Sequence, residues 1–137
     1  MIFVDTSAIY AVLDADDRNH QAAISTLRGL RSANAALVTH EYVVVESISL
    51  AQRRLGMPAT QRLIDGLLPL IHVAWVDPGL HAEARAALVG AGRRGISLVD
   101  WTSFLAMRAQ GVHQAFTFDA AFAAEGFDVV PMGPPAG

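Results

Sequence analysis

Four acids along this chain sit where a carboxylate can do chemistry: Asp5, Glu46, Asp100 and Asp119. Asp5 closes the apolar run MIFV, and Asp119 closes AFTF. Asp100 opens the helical stretch LVDWTSFLAMRAQG, which feeds the run ending at Asp119. Glu46 lies about two turns into the helical stretch HEYVVVESISLAQRRLG. Its neighbours are apolar almost all the way round, and an unpaired charge there would cost several kcal/mol. Glu46 is therefore expected to be protonated, tipped out to solvent or paired with a cation. Acids at the carboxyl ends of parallel strands, and at the helix N-termini beyond them, gather on one edge of a sheet. Gathered carboxylates repel, so some stay protonated unless a cation joins them. Three or four without a nearby lysine or histidine suit Mg²⁺ or Mn²⁺, which take oxygen ligands and keep several waters. On this reading Glu46 tolerates its apolar helix because its charge is shared with a metal ion.

Each acid also has a structural explanation. Asp5 and Asp119 fit helix N-caps. Ser97 with Asp100 fits a variant capping box, Ser97 as the cap and Asp100 in the first turn. Glu46 could face water. These explanations compete with the metal site one acid at a time, but all four must hold at once while the acids meet on one edge by chance.

The elements that position these acids follow from periodicity. MIFV reads as a buried strand and SAIYAVLD as a short helix. After the acidic break DADDRN, Ala22, Ala23, Leu27 and Leu30 recur at helical spacing. AALVT is a second strand, and the helix carrying Glu46 is stopped by Gly56 and Pro58. PATQRLIDGLLPL reads as one helix, IHVAWV as a strand, and a helix starts at Asp77-Pro78. The loop RRGIS precedes the Asp100 helix, followed by strand HQAFTF, helix DAAFAAEG and strand FDVVP. Strands separated by helices predict α/β architecture with a mainly parallel central sheet. A single domain over 1–131 and a flexible tail over 132–137 are expected, with no internal repeat or linker.

Composition narrows the chemistry. The 137 residues suit one core, and 53% hydrophobic residues are too many for disorder. No apolar run is long enough to span a bilayer, and the start lacks a basic n-region, so a cytoplasmic location is expected. Cysteine is absent, which removes disulfides, thiolate zinc sites and a cysteine nucleophile. All 10 basic residues are arginine. The missing lysine excludes a P-loop and Schiff-base chemistry. A net charge of −3 argues against broad electrostatic binding of nucleic acid, but not against a local arginine patch or a site whose cations are metal ions.

The stretches FVDTSA, SLVDWTSF and FTFDAAF, with a glutamate on the third helix between them, resemble the ordered signature of PIN-domain ribonucleases. Among these the chain is most similar to VapC-type toxins of bacterial toxin–antitoxin pairs, over nearly its whole length from Ile2 to about Val130. The family's acidic quartet falls on Asp5, Glu46, Asp100 and Asp119, and supporting hydroxyls fall on Ser7 and Thr117. A further acid that the family often carries has no convincing counterpart in Glu125 or Asp128. The resemblance implies a three-layer α/β/α fold, an Mg²⁺-dependent endoribonuclease in which Mn²⁺ substitutes, and a homodimer. It also implies a VapB-type antitoxin partner whose C-terminal segment covers the site. Asp5 and Asp100 are the expected direct ligands, with Glu46 and Asp119 acting through water or orienting the nucleophile. The expected products are a 5′-phosphate and a 3′-hydroxyl.

Other residues carry weaker signals. Arg93 and Arg94, in the loop AGRRG before Asp100, are candidates to hold RNA phosphates, against the alternative of a solvated loop. Arg53 and Arg54 end the Glu46 helix, where cations suit the helix dipole, and are read as structural. Trp101 is read as core or interface, against the alternative of stacking on a base, and Phe104, Leu105 and Met107 are read as core. The five histidines show no pairing, and HEYVV fails the zinc motif because Val44 replaces its second histidine, so structural or surface roles are expected. Three alternatives stand beside the toxin: a PIN nuclease of RNA maturation, an inactive binding protein with the same fold, and a haloacid-dehalogenase-like phosphatase. The last is disfavoured because Thr6 and Ser7 follow Asp5 without a second aspartate.

Overall fold

The computed structural model describes residues 1–132. The expected tail beyond residue 132 therefore lies outside the described residues. Strand β1 (Ile2–Val4) is buried at every position, as a continuous apolar run in a parallel sheet should be. It lies at the centre of a five-stranded sheet of order β3-β2-β1-β4-β5, with β2 at Leu37–His40, β3 at His72–Ala74, β4 at Gln114–Phe116 and β5 at Asp128–Val130. Every pairing is parallel, and Val4 stands opposite Phe116 across β1 and β4.

Helices α1 (Thr6–Leu13) and α2 (His20–Ser32) join β1 to β2, and α3 (Glu41–Leu55) and α4 (Met57–Arg62) join β2 to β3. The crossover back to β4 carries α5 (Pro78–Ala91) and α6 (Leu98–Gln110), and α7 (Ala120–Ala124) precedes β5. Parallel crossovers are right-handed, so with this strand order α1–α4 cover one face and α5–α7 the other. The expected three-layer α/β/α fold is what forms.

Alternation along β1 feeds both layers. Val4 and Phe116 line a small internal gap with Ile9, Leu27 and Leu67. Phe3 points the other way and stacks with Phe122 at 6.1 Å, and Phe122 meets Phe104 edge to face at 4.9 Å. Phe104 and Phe122 are fully buried, each worth roughly 1.5–3 kcal/mol in transfer free energy. His40 joins the layers. Its Nδ1 accepts the N–H groups of Tyr42 and Val43 as the N-cap of α3, while Nε2 lies 2.8 Å from Ser103 Oγ on α6.

Most boundaries shift by a residue or two from those read in the sequence, and three differences are larger or bear on the site. The helix expected over 58–70 is regular only to Arg62, then widens into a π-turn (Leu63–Leu67) and tightens into a 3₁₀ turn (Leu68–Leu70). Pro69 explains the change, since its ring clashes with the carbonyl four residues back and it has no N–H to give. The third strand stops at Ala74 and leaves Trp75 82% exposed, as suits an edge strand with one paired side. The fourth stops at Phe116, which moves Asp119 from a strand end onto the loop before α7. Among the described residues no helix is long and apolar enough to cross a membrane.

Candidate active site

The strand order reverses direction at β1, because β2 leaves on one side and β4 on the other. Such a switch point opens a crevice at the carboxyl ends of the two central strands. Asp5 follows β1 directly, and its N–H donates to Phe116 O of β4 at 3.0 Å. Asp119 reaches the same crevice from the β4–α7 loop. Asp100 enters from the start of α6 and Glu46 from α3. All four line one open cleft of about 460 Å³.

Local structure aims three of these carboxylates. Asp5 Oδ2 caps α1 by accepting Ser7 N–H at 3.4 Å, and Asp119 Oδ1 caps α7 by accepting Ala121 N–H at 2.9 Å. Ser97 and Asp100 form the reciprocal capping box, at 3.1 Å from Asp100 N–H to Ser97 Oγ and 2.9 Å from Ser97 N–H to Asp100 Oδ2. The structural explanation therefore holds together with the convergence. Capping uses one oxygen and leaves the other carboxylate oxygen for the cleft.

Glu46 is placed by helical spacing. Val43, Ser47 and Ala51 bury one face of α3, and Glu46, Leu50 and Arg54 form the neighbouring stripe that lines the cleft. Glu46 is half-buried and opens onto the cleft, which answers why a carboxylate is tolerated in this helix. The ion pair present among the described residues, Arg108 with Glu125 at 2.9 Å, lies elsewhere.

Two hydroxyls hold Asp5. Ser7 Oγ donates to Asp5 Oδ2 at 2.8 Å and Thr117 Oγ1 donates to the same oxygen at 2.9 Å. The hydroxyls in turn accept backbone N–H groups, Ser7 from Phe118 at 2.9 Å and Thr117 from Asp119 at 3.0 Å. The β4–α7 loop is thereby tied to the start of α1. Asp5 is 3% exposed, and burial pushes its carboxyl up to about 6. The two hydroxyls oppose that shift, and the charges of Asp100 and Asp119 add to it. Burial also raises Asp100, against the Ser97 backbone N–H and with the help of Asp119.

These residues fit a divalent cation. Every hydrogen bond that Asp5 accepts through its side chain ends on Oδ2, so Oδ1 is left to face a ligand. Among the described residues no three Asp, Glu or His side chains stand close enough together to hold a metal ion between them. The acids converge at the scale of a cleft rather than of a complete coordination shell. Mg²⁺ suits that arrangement, because it keeps several waters and is held by one or two carboxylates plus substrate phosphates.

The arginines that line the cleft come from elements other than the loop before Asp100. Arg93 and Arg94 are exposed on the α5–α6 loop and do not line the cleft. Arg18 and Arg54 do, together with Tyr10 and Asn19. The Arg54 guanidinium lies 5.6 Å from the centre of the Tyr10 ring. Arg54 was legible in principle, since it stands two i+4 steps beyond Glu46. Arg18 was not, because it comes from the irregular α1–α2 connection. Trp101 packs edge-on against Phe104 at 5.6 Å, and its buried Nε1–H has no partner among the described residues. The histidines are structural or peripheral, with His20 bonded to Ala11 O at 2.7 Å and His81 to the Tyr42 hydroxyl at 2.7 Å.

The PIN domain family model matches residues 2–127. Over 128 residues the chain is 36% identical to VapC20 of Mycobacterium tuberculosis, a 23S rRNA-specific endonuclease, covering 93% of this chain and 95% of that protein. The crystal structure of VapC20, a sarcin–ricin loop cleaving toxin, aligns with a TM-score of 0.81 at 33% identity over 93% of this chain and 96% of that one. FitAcB from Neisseria gonorrhoeae shares the fold, with a TM-score of 0.67 at 19% identity over 94% of this chain and 96% of that chain.

Proposed function

The chain belongs to the PIN-domain family, among its VapC-type proteins, and on that premise we propose that it is an Mg²⁺-dependent endoribonuclease and the toxin of a VapBC-type pair. The observation that carries this reading is the meeting of Asp5, Glu46, Asp100 and Asp119, from four separate elements, in one cleft at the sheet's switch point. The substrate is an RNA phosphodiester. The similarity to VapC20 favours a structured ribosomal RNA loop, and with such a substrate the protein would act in the cytoplasm.

Asp5 and Asp100 would hold the ion directly, and Glu46 and Asp119 would reach it through water or orient the nucleophile. When bound, Mg²⁺ supplies a more easily ionised water and offsets charge on the phosphoryl oxygens. The protein's own contribution is positioning. Ser7 and Thr117 fix the Asp5 carboxylate so that it does not reorganise during the reaction. Arg54 and Arg18 offer guanidinium groups to the phosphates flanking the cleaved bond. In-line attack by water then leaves a 5′-phosphate and a 3′-hydroxyl.

The partners follow from the same reading: a VapB-type antitoxin and a second copy of the chain. Exposed Val45, Met57 and Ile64, on α3, α4 and the following turn, offer apolar surface for a homodimer.

The deciding experiment incubates the full chain with a synthetic sarcin–ricin stem-loop RNA and Mg²⁺, and sequences the 5′-phosphate ends. One defined cut is expected, lost in EDTA and in Asp5→Ala and Asp100→Ala. Cleavage that survives both substitutions and EDTA would remove the carboxylates from the mechanism. Growth arrest on expression, relieved by the product of an adjacent short reading frame, distinguishes a toxin from an RNA-processing nuclease. Absence of Mg²⁺ and Mn²⁺ binding by calorimetry would favour an inactive binding protein.

A further inference from the structure

Beside the carboxylate cleft lies a second groove of about 770 Å³, within the ~300–1,000 Å³ range of ligand pockets. Ala22, Ala120, Ala123, Val129, Pro131 and Met132 give it an apolar lining. Arg18, Asn19, Phe118 and Asp119 line both spaces, so the two meet along one shared wall. The groove's charged groups, Arg18 and Asp119, are both on that wall. Its remaining lining is neutral.

Phe118 is the aromatic member of the wall. It stands between Thr117 and Asp119, and its N–H is anchored to Ser7 Oγ at 2.9 Å. Its ring is partly exposed and meets Phe116 at 6.3 Å and 64°. The ring therefore sits on backbone fixed by the network that holds Asp5.

A fitting occupant is flat, uncharged and joined to a phosphate at the shared wall. An unpaired nucleobase has that chemistry: its phosphate lies over the acids and its ring turns into the groove. We propose that this groove is a nucleobase subsite, in which the base of a nucleotide next to the cleaved bond stacks on Phe118. The inference rests on the ribonuclease reading and adds a substrate requirement. A base paired within a duplex is stacked and out of reach, so the enzyme needs an unpaired or extruded nucleotide at the cut.

The test uses the full chain, Mg²⁺ and the sarcin–ricin stem-loop RNA, with one nucleotide at a time near the cut made abasic so that the phosphates stay. For the wild type, one abasic position within about two nucleotides of the cut should lower kcat/KM roughly five- to a hundredfold. Phe118→Ala should lower cleavage of the intact RNA by a similar factor and lose its sensitivity to that abasic position. Ala123→Phe, an exposed position on α7 filled with a bulky ring, should do the same without touching Phe118. Phe118→Tyr should behave as wild type. Failure of the wild type to cut the intact stem-loop brings down the ribonuclease reading and the subsite with it. Cutting by Phe118→Ala and Ala123→Phe at the wild-type rate overturns the subsite alone and leaves the groove to a protein segment.

Discussion

Thr117 donates its hydroxyl proton to Asp5 across 2.9 Å, though 112 positions separate the two in sequence. The bond favours the ionised carboxylate, while burial and the neighbouring acids oppose it. Thr117→Val keeps the shape and removes the donor. The Asp5 carboxyl should then rise further above about 6, and the acid limb of the kcat/KM–pH profile should move to higher pH. Loss of an orienting partner of this kind costs roughly 10- to 100-fold in activity. Thr117→Ser should restore both. A pH profile for Thr117→Val that overlays the wild type would remove Thr117 from the site.

Burial of Asp5 also affects stability. Its folded pKa of about 6 exceeds the ordinary 3.8, so the folded state binds the extra proton between those values. Stability from this group is complete below about pH 3.8 and is lost as pH rises through about 6. The shift corresponds to about 3 kcal/mol at pH 7 in the absence of metal. Asp5→Asn should therefore raise the urea midpoint in EDTA at pH 7, and saturating Mg²⁺ should narrow the difference. A lower midpoint in EDTA would contradict the burial argument.

His40 has the opposite sign. Burial holds its imidazole down at about 4 against the ordinary 6.5, with a smaller opposing contribution from the Val99 backbone. The unfolded state binds the proton first, so stability present above about pH 6.5 is lost as pH falls towards about 4, by about 3 kcal/mol. In metal-free wild type this loss and the gain from Asp5 run against each other over nearly the same pH range. Asp5→Asn should unmask the acid destabilisation, and urea titrations from pH 7 to 4 in EDTA will show whether its slope steepens.

Arg54→Ala should lower kcat/KM for RNA about tenfold or more, as expected for a lost charge-assisted contact to phosphate, and should reduce the salt slope of binding by about one. Arg93→Ala and Arg94→Ala should change neither by more than about twofold, because neither residue lines the cleft. Cleavage assays across a potassium chloride series test both. The reverse ranking would reinstate the α5–α6 loop as the phosphate contact.

Ser97→Ala removes half of a capping box, which costs about 1 kcal/mol of stability and frees the Asp100 carboxylate to turn. A lower melting temperature together with a fall in kcat larger than the change in KM is expected, and Ser97→Thr should rescue both. A stability loss with unchanged kcat would make the box structural alone.

The order of strands and helices, the buried character of β1 and the caps at Asp5, Ser97 and Asp119 could all be read from the sequence. They could be read because periodicity and capping act over four residues or fewer, so the residues that decide them are neighbours in the chain. The candidate acids could be named for the same reason, and the family resemblance supplied the hydroxyls of Ser7 and Thr117. The broken helix before β3 is not legible from periodicity, because the apolar spacing continues through the stretch that Pro69 interrupts.

The sequence alone did not place Arg54 and Arg18 in the cleft rather than Arg93 and Arg94, nor set an apolar groove against the acids. Those relationships depend on β1 lying between β2 and β4, which brings residues more than a hundred positions apart within hydrogen-bonding reach. Spacing along a chain determines which face of its own element a side chain occupies. Which other faces it meets is decided by how the sheet buries its apolar surface, and that is a property of the whole fold.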